Sequence, residues 1–153
     1  MNITFSKKCG VQPSIIKAMT NAAEIVLKEE GLTDDEFNRA EISVTFLKSD
    51  KMQKLNLEYR GKDKSTDVLS FPMYKSIDDF PEEGELELGD VVINKEQAQV
   101  QAEEYGHTYK REMVYLFVHS MLHLLGYDHE DKEDKKAMRK REEEIMKEIG
   151  IER

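Results

Sequence analysis

An α+β fold, a small mixed β-sheet packed with four to five helices, is what three features of this chain predict. Short segments alternate apolar and polar residues, as Ile42, Val44 and Phe46 do against Ser43 and Thr45, and so read as strands. Longer segments repeat apolar residues at helical spacing. The two kinds do not follow one another in strict alternation, which favours α+β over a doubly wound parallel sheet.

The elements follow in order. Ile3 and Phe5 alternate with polar neighbours as a short strand. A helix is expected over 13–30, because Pro13 suits a first helical position and Gly31 a helix end. Residues 41–47 read as the next strand. Ser49 is a ready N-cap for a helix carrying Met52, Leu55 and Tyr59 up to Arg60, where Gly61 breaks the pattern. Residues 66–71 (TDVLSF) form a strand closed by Pro72. An acidic loop punctuated by proline and glycine covers 76–87, and a strand covers 88–93. Asn94 caps a helix over 95–105 with Gly106 as its stop. Thr108 caps another, with the apolar stripe Met113, Leu116, Phe117, Met121 and Leu124, ended by Gly126. A charged helix over 134–149 stops at Gly150.

With 153 residues and 39% hydrophobic side chains, the chain is expected to be a single domain, 1–153, with a real core. No apolar run is long enough to span a bilayer, and MNITFSKKCG lacks the apolar stretch of a secretory leader, so a cytoplasmic protein without a membrane partner is expected. Cys9 is the only cysteine, which excludes an internal disulfide and a cysteine-based metal site.

A net charge of -9 argues at first against a nucleic-acid partner. Its distribution removes the objection. Ten acidic residues fall between Asp78 and Glu104 against the single Lys95, and the rest of the chain is neutral. Basic clusters remain at Lys51, Lys54, Arg60, Lys62 and Lys64, and at Lys110 with Arg111. They can line a phosphate path if the fold gathers them, or simply solubilise the surface.

The feature richest in chemistry is His119-Ser-Met-Leu-His123-Leu-Leu-Gly126-Tyr-Asp-His129. Residues four apart on a helix lie one above the other, so His119 and His123 can aim at a common point. Gly126 sits where a left-handed residue ends the helix and reverses the chain, which can return His129 to the same point. Three neutral imidazoles suit zinc and leave a fourth coordination position for water, as in catalytic rather than structural sites. A single helical histidine is more often just a satisfied polar residue; three at this spacing are not. His107, beside Gly106, reads as a loop residue.

The same spacing belongs to the metzincin metalloproteases, whose second motif position is a glutamate that acts as general base. Here that position is Ser120, which cannot take a proton as a carboxylate does. An electrostatic stabiliser of an anionic transition state is then needed, and Arg60 is the candidate, since a guanidinium meets a phosphate at two points and stays charged. From position alone Arg60 can equally be a surface residue closing a helix C-terminus.

Residues 55–72 (LNLEYRGKDKSTDVLSFP), 88–94 (LGDVVIN) and 118–129 (VHSMLHLLGYDH) together resemble the YbeY family, bacterial endoribonucleases of ribosomal RNA maturation. The resemblance implies one zinc ion per chain at His119, His123 and His129 and an important arginine at Arg60. It further implies cleavage of single-stranded RNA, maturation of the 16S rRNA 3′ end, a part in ribosome quality control, and the small subunit and its proteins as partners. Where the family often has proline before the Thr66-Asp67 pair this chain has Ser65, which is expected to loosen that loop. Two other functions fit the same residues: a metzincin-like peptidase or other metal hydrolase, and a non-enzymatic ribosome-assembly factor with structural zinc whose acidic segment docks on basic proteins.

Overall fold

The computed structural model describes residues 1–151. Four strands, β1 (Asn2–Ser6), β2 (Ala40–Leu47), β3 (Val68–Pro72) and β4 (Leu86–Asn94), form one sheet in the order β1-β2-β4-β3. β1, β2 and β4 run parallel, and β3 lies antiparallel to β4 at the edge. The mixed α+β class read from the pattern is the class found.

Six α-helices surround the sheet among the described residues, one more than the pattern signals. They are α1 (Pro13–Glu29), α2 (Asp34–Arg39), α3 (Ser49–Arg60), α4 (Lys95–Tyr105), α5 (Tyr109–Leu124) and α6 (Lys132–Glu148). The addition is α2, whose residues are nowhere buried, so it carries no apolar stripe. A capping box holds it instead: the Thr33 hydroxyl accepts from the Glu36 N–H while the Glu36 carboxylate accepts from the Thr33 N–H. Residues 77–79 form a single 3₁₀ turn within the acidic loop.

The core centres on α5. Met113, Val114, Phe117, Val118, Met121, Leu122 and Leu124 are all fully buried, so the helix is apolar nearly all round, as a central helix must be. It shares one cluster with Ile15, Met19, Val26 and Leu27 of α1, with Ile42, Val44 and Phe46 of β2, and with Met138, Ile145 and Met146 of α6. The opposite sheet face is covered by α3, where Met52 meets Leu69 and Val92.

A bulge in β4 decides which of its side chains face α5. Glu41 of β2 pairs with Glu87 and Ile42 with Gly89, so Leu88 is inserted without a partner. The insertion shifts the parity: Leu86 and Leu88 are buried before it, and Val91 and Ile93 after it. Gly89 adopts φ +143°, and a Cβ there would collide with the Phe71 carbonyl oxygen and stand 2.9 Å from Leu124 Cδ2. Only a residue without a side chain lets β3 and the last turn of α5 approach together.

Asn94 ties three segments together. Fully buried, its Oδ1 accepts from the N–H groups of Glu96 and Gln97, capping α4 as expected. Its Nδ2 faces Ser49 Oγ, Ser65 Oγ and the Thr66 carbonyl at 3.0, 3.1 and 3.1 Å. Two expectations are thereby corrected. Ser49 does not cap α3, because its hydroxyl serves Asn94 and the Ser49 N–H donates to the Glu96 carboxylate instead. Ser65 does not loosen its loop, because it accepts a hydrogen bond that proline could not.

Gly89→Ala is expected to destabilise the fold by about 1–3 kcal/mol from backbone strain alone, with the clash against Phe71 added. Chemical denaturation measures it; a midpoint equal to wild type would mean that the strand and helix relax apart freely.

Candidate metal centre

The end of α5 builds the site. Gly126 takes φ +103°, its N–H donates to the His123 carbonyl and the Tyr127 N–H to the Leu122 carbonyl. This pair of bonds is a Schellman turn, and it satisfies the last carbonyls of the helix. A Cβ at Gly126 would stand 2.6 Å from the Lys75 carbonyl oxygen, so the turn also packs against the loop after β3. The reversed chain then delivers His129 to the histidines of α5. The ring centroids of His129 lie 4.8 Å from His123 and 5.7 Å from His119, and one ligating atom of each histidine lies within 4.8 Å of the others.

Hydrogen bonds on the far side of two rings fix where their lone pairs point. His119 Nδ1 bonds to Glu142 Oε2 at 2.5 Å, and His123 Nδ1 to the Tyr127 carbonyl oxygen at 2.9 Å. A carboxylate and a carbonyl only accept, so each Nδ1 carries the proton and each Nε2 presents a lone pair. The two Nε2 atoms face each other at 3.1 Å. Two acceptors at that distance repel unless a cation lies between them. Ligands of a tetrahedral zinc at its usual bond length lie about 3.3 Å apart, so the spacing suits that ion. Burial, then the neighbouring His119, hold the His123 pKa below its ordinary value, which favours the neutral ligating form. The triad is thus able to bind a metal ion.

The supports extend outward. Glu142, 2% exposed on α6, gives its other oxygen to the Tyr115 hydroxyl at 2.7 Å. Burial and the contact with Glu142 raise the Tyr115 pKa, keeping it a donor. The Tyr127 hydroxyl donates to Glu30, the residue that caps the C-terminus of α1 and also pairs with Arg141 of α6, and burial with Glu30 pushes the Tyr127 pKa up to about 12. The turn that orients His123 is therefore anchored to two helices.

The histidines open into a cleft of about 560 Å³, walled by Arg60, Thr66, Asp67, Ser70, Tyr74, Lys75 and Asp128. Arg60 stands at the C-terminus of α3, exposed, with Gly61 closing the helix in the left-handed conformation. Of the basic cluster at 51–64 it alone lines this cleft. Arg111 is not available to a phosphate at all: it is 4% exposed, held by Glu143 and the Ile151 carbonyl. Ser120 is fully buried, its hydroxyl bonded to that of Ser70, so the motif's second position faces packing and not the cleft's solvent. His107 lies in the α4–α5 loop as expected, paired with Glu112 at 2.7 Å.

Sequence pattern alone does not single out Glu142, Tyr115, Ser70 or Lys75. Glu142 does carry a signal, since it falls one turn after Met138 and one before Ile145 and Met146, a carboxylate on an apolar face. No local spacing relates it to His119, 23 residues earlier.

An α+β domain carrying three imidazoles at the floor of an open cleft is of the class able to hold a metal ion where a substrate can reach it. The profile described as Endoribonuclease YbeY matches residues 2–150, and the chain belongs to that family. It is similar to the protein named Endoribonuclease YbeY of Caldanaerobacter subterraneus subsp. tengcongensis, at 43% identity over the full length of both chains. It is also similar to that of a Thermoanaerobacter species, at 46% identity over 84% of this chain and 86% of the relative. The solution structure of TM1509 from Thermotoga maritima superposes with a TM-score of 0.59 and 26% identity, over 96% of this chain and 89% of that one.

Glu142→Gln is expected to weaken divalent-metal binding by about 10–100-fold, because the amide no longer holds the His119 imidazole with a charge. Competition with a chelating dye measures this; unchanged affinity would show that the bond does not orient the ligand.

Proposed function

We propose that this single-domain protein is a cytoplasmic, zinc-dependent endoribonuclease of single-stranded RNA, acting in 16S rRNA 3′-end maturation and ribosome quality control. The observation that carries the reading is the pair of imidazole lone pairs facing at 3.1 Å in the same cleft that Arg60 lines. Membership of the Endoribonuclease YbeY family supports RNA as the polymer cut. Small-subunit rRNA and its proteins as partners rest on the motif resemblance.

His119, His123 and His129 would hold one zinc ion per chain, which supplies Lewis acidity and acidifies a water ligand. Arg60 binds the scissile phosphodiester in two-point geometry and stabilises the charge that develops on its non-bridging oxygens. Glu142 and the Tyr127 carbonyl hold the two Nδ1 positions, which leaves Nε2 of each ring as the nitrogen turned to the ion. A peptidase function is the weaker alternative, since Ser120 offers no carboxylate and its hydroxyl is spent on Ser70. In the assembly-factor alternative the ten acidic side chains of 78–104 dock on basic proteins and Arg60 has no task.

Arg60→Ala is expected to lower kcat on unstructured RNA by about 10²–10³-fold with zinc content unchanged, whereas His123→Ala loses zinc and activity together. Elemental analysis beside a cleavage assay checks both. RNA processing untouched by Arg60→Ala, or cleavage of polypeptide but not RNA, would overturn the reading. Product ends identify the nucleophile: a 2′,3′-cyclic phosphate marks attack by the ribose 2′-hydroxyl, and its absence marks water.

A further inference from the structure

The cleft does not end at the histidines. A second hollow of about 360 Å³ meets it at His119 and His129 and is walled by Lys135 and Arg139 of α6, with Met138, Tyr115 and Glu142 beneath. A third, of about 250 Å³, shares Tyr115 and Arg139 with the second and reaches Tyr105 and His107. Through these shared residues the three hollows form one track, running from Arg60 and Lys75 past the triad and along α6.

Four cations along this track, Arg60 and Lys75 on one side and Lys135 and Arg139 on the other, have no carboxylate within 4.0 Å among the described residues, whereas Arg111 in the third hollow is paired with Glu143. Arg141, two residues beyond Arg139, is by contrast tied to Glu29, Glu30 and Glu144. Carboxylates that wall the α6 side are already committed: Glu142 to His119 and Tyr115, Glu112 to His107 and Gln101, Glu143 to Arg111. Asp128 and Asp67, on the cleft side, accept from the backbone N–H groups of His129 and Val68. On the α6 side of the track the exposed charged side chains without an ion pair are Lys135 and Arg139, while Glu143, partly exposed, is engaged by Arg111. Lys135 and Arg139 are four residues apart on one helix face, about 6 Å along its axis, so they can meet neighbouring phosphates rather than one. At the far end Tyr105 is 55% exposed and leans on His107, a ring free to stack with a base.

We infer that α6 is the second half of the substrate path: single-stranded RNA crosses the triad and continues along α6, with phosphates on Lys135 and Arg139 and a base on Tyr105. This rests on the ribonuclease reading above and deepens it. A nuclease that cuts inside a strand must hold the chain on both sides of the scissile bond, and Arg60 with Lys75 supplies only one side.

The test compares wild-type holoenzyme with the K135A/R139A pair and with Tyr105→Ala, on RNAs of one sequence shortened from the 5′ or the 3′ side of the cut. For the pair, KM on long RNA is expected to rise roughly ten-fold or more at low salt. The slope of log(kcat/KM) against log[salt] should shrink by about 1.4, at about 0.7 for each single-strand phosphate no longer neutralised. Shortening the RNA on one side should raise KM for wild type and leave the pair unaffected, since the variant no longer holds the nucleotides that the shortening removes. Tyr105→Ala should repeat this more weakly with no change in salt slope. Equal losses on every RNA, or KM and slope unchanged, would overturn the α6 path. Fluorescence anisotropy of a labelled RNA on the holoenzyme separates the two levels. RNA binding that depends on α6 without cleavage would sink the nuclease reading and keep the path; cleavage indifferent to α6 would do the reverse.

Discussion

The site depends on one constraint: two imidazoles one helical turn apart are each made to donate backwards, so that their remaining lone pairs must face one another. Neither bond is optional once the rings are packed. His119 donates to a carboxylate that is almost wholly buried, and His123 to a carbonyl exposed by the chain reversal at Gly126. A buried carboxylate without a partner costs several kcal/mol, so Glu142 is as firmly bound to His119 as His119 is to it. The resulting electrostatic demand at the Nε2 pair is for positive charge, and a divalent ion answers it more completely than a proton, because it also accepts the third lone pair from His129.

Much of the remaining fold serves to keep that geometry in register. The last turn of α5 can approach the sheet only because Gly89 has no side chain to meet Leu124, and it can turn towards β3 only because Gly126 has none to meet the Lys75 carbonyl. Tyr127 then fastens the turn to Glu30 and through it to Arg141, joining α1 and α6, the helices that flank α5. Asn94 does the corresponding work on the other wall, drawing the start of α3, the Ser65-Thr66 loop and the start of α4 to one amide. Arg60, at the end of α3, inherits its place from that junction. Position therefore reaches the cleft from two directions, one through the helix that carries the ligands and one through a buried side-chain amide.

The parts of this arrangement that are legible in the sequence are those governed by local rules. Helical spacing pairs His119 with His123, the glycine at 126 announces the reversal, and Asn94, Thr108 and Gly106 mark their helix ends where the structure has them. α2 escapes because a six-residue helix with only Phe37 packed on the core, held by a capping box and by Arg39 on the 81–84 loop, has no apolar period to register. Ser49 misleads because a good capping residue is claimed by a tertiary partner 45 positions away. Arg111 misleads for the same reason, a surface-like basic residue turned inward by Glu143. Glu142 lies beyond reach in kind rather than degree: its partner is chosen by how α6 packs on α5, and only its place on an apolar stripe hints that it is needed.

Ser120 shows how one motif can keep its metal geometry while its chemistry changes. The residue after the first histidine of a helical pair points about a quarter-turn round the helix, and here that direction is the packed interface with β3, where its hydroxyl meets Ser70. A carboxylate in this place could accept from the Ser70 hydroxyl but would bury a charge against the strand, at a cost that the small hydroxyl avoids. The carboxylates nearest the triad, Glu142, Asp67 and Asp128, each already accept a hydrogen bond, whereas Arg60 and Lys75 on the cleft walls have no ion pair among the described residues. A glutamate at position 120 would add a further negative charge beside the triad. On the ribonuclease reading, a site spared that further carboxylate meets a polyanionic backbone with less repulsion than a peptidase site would.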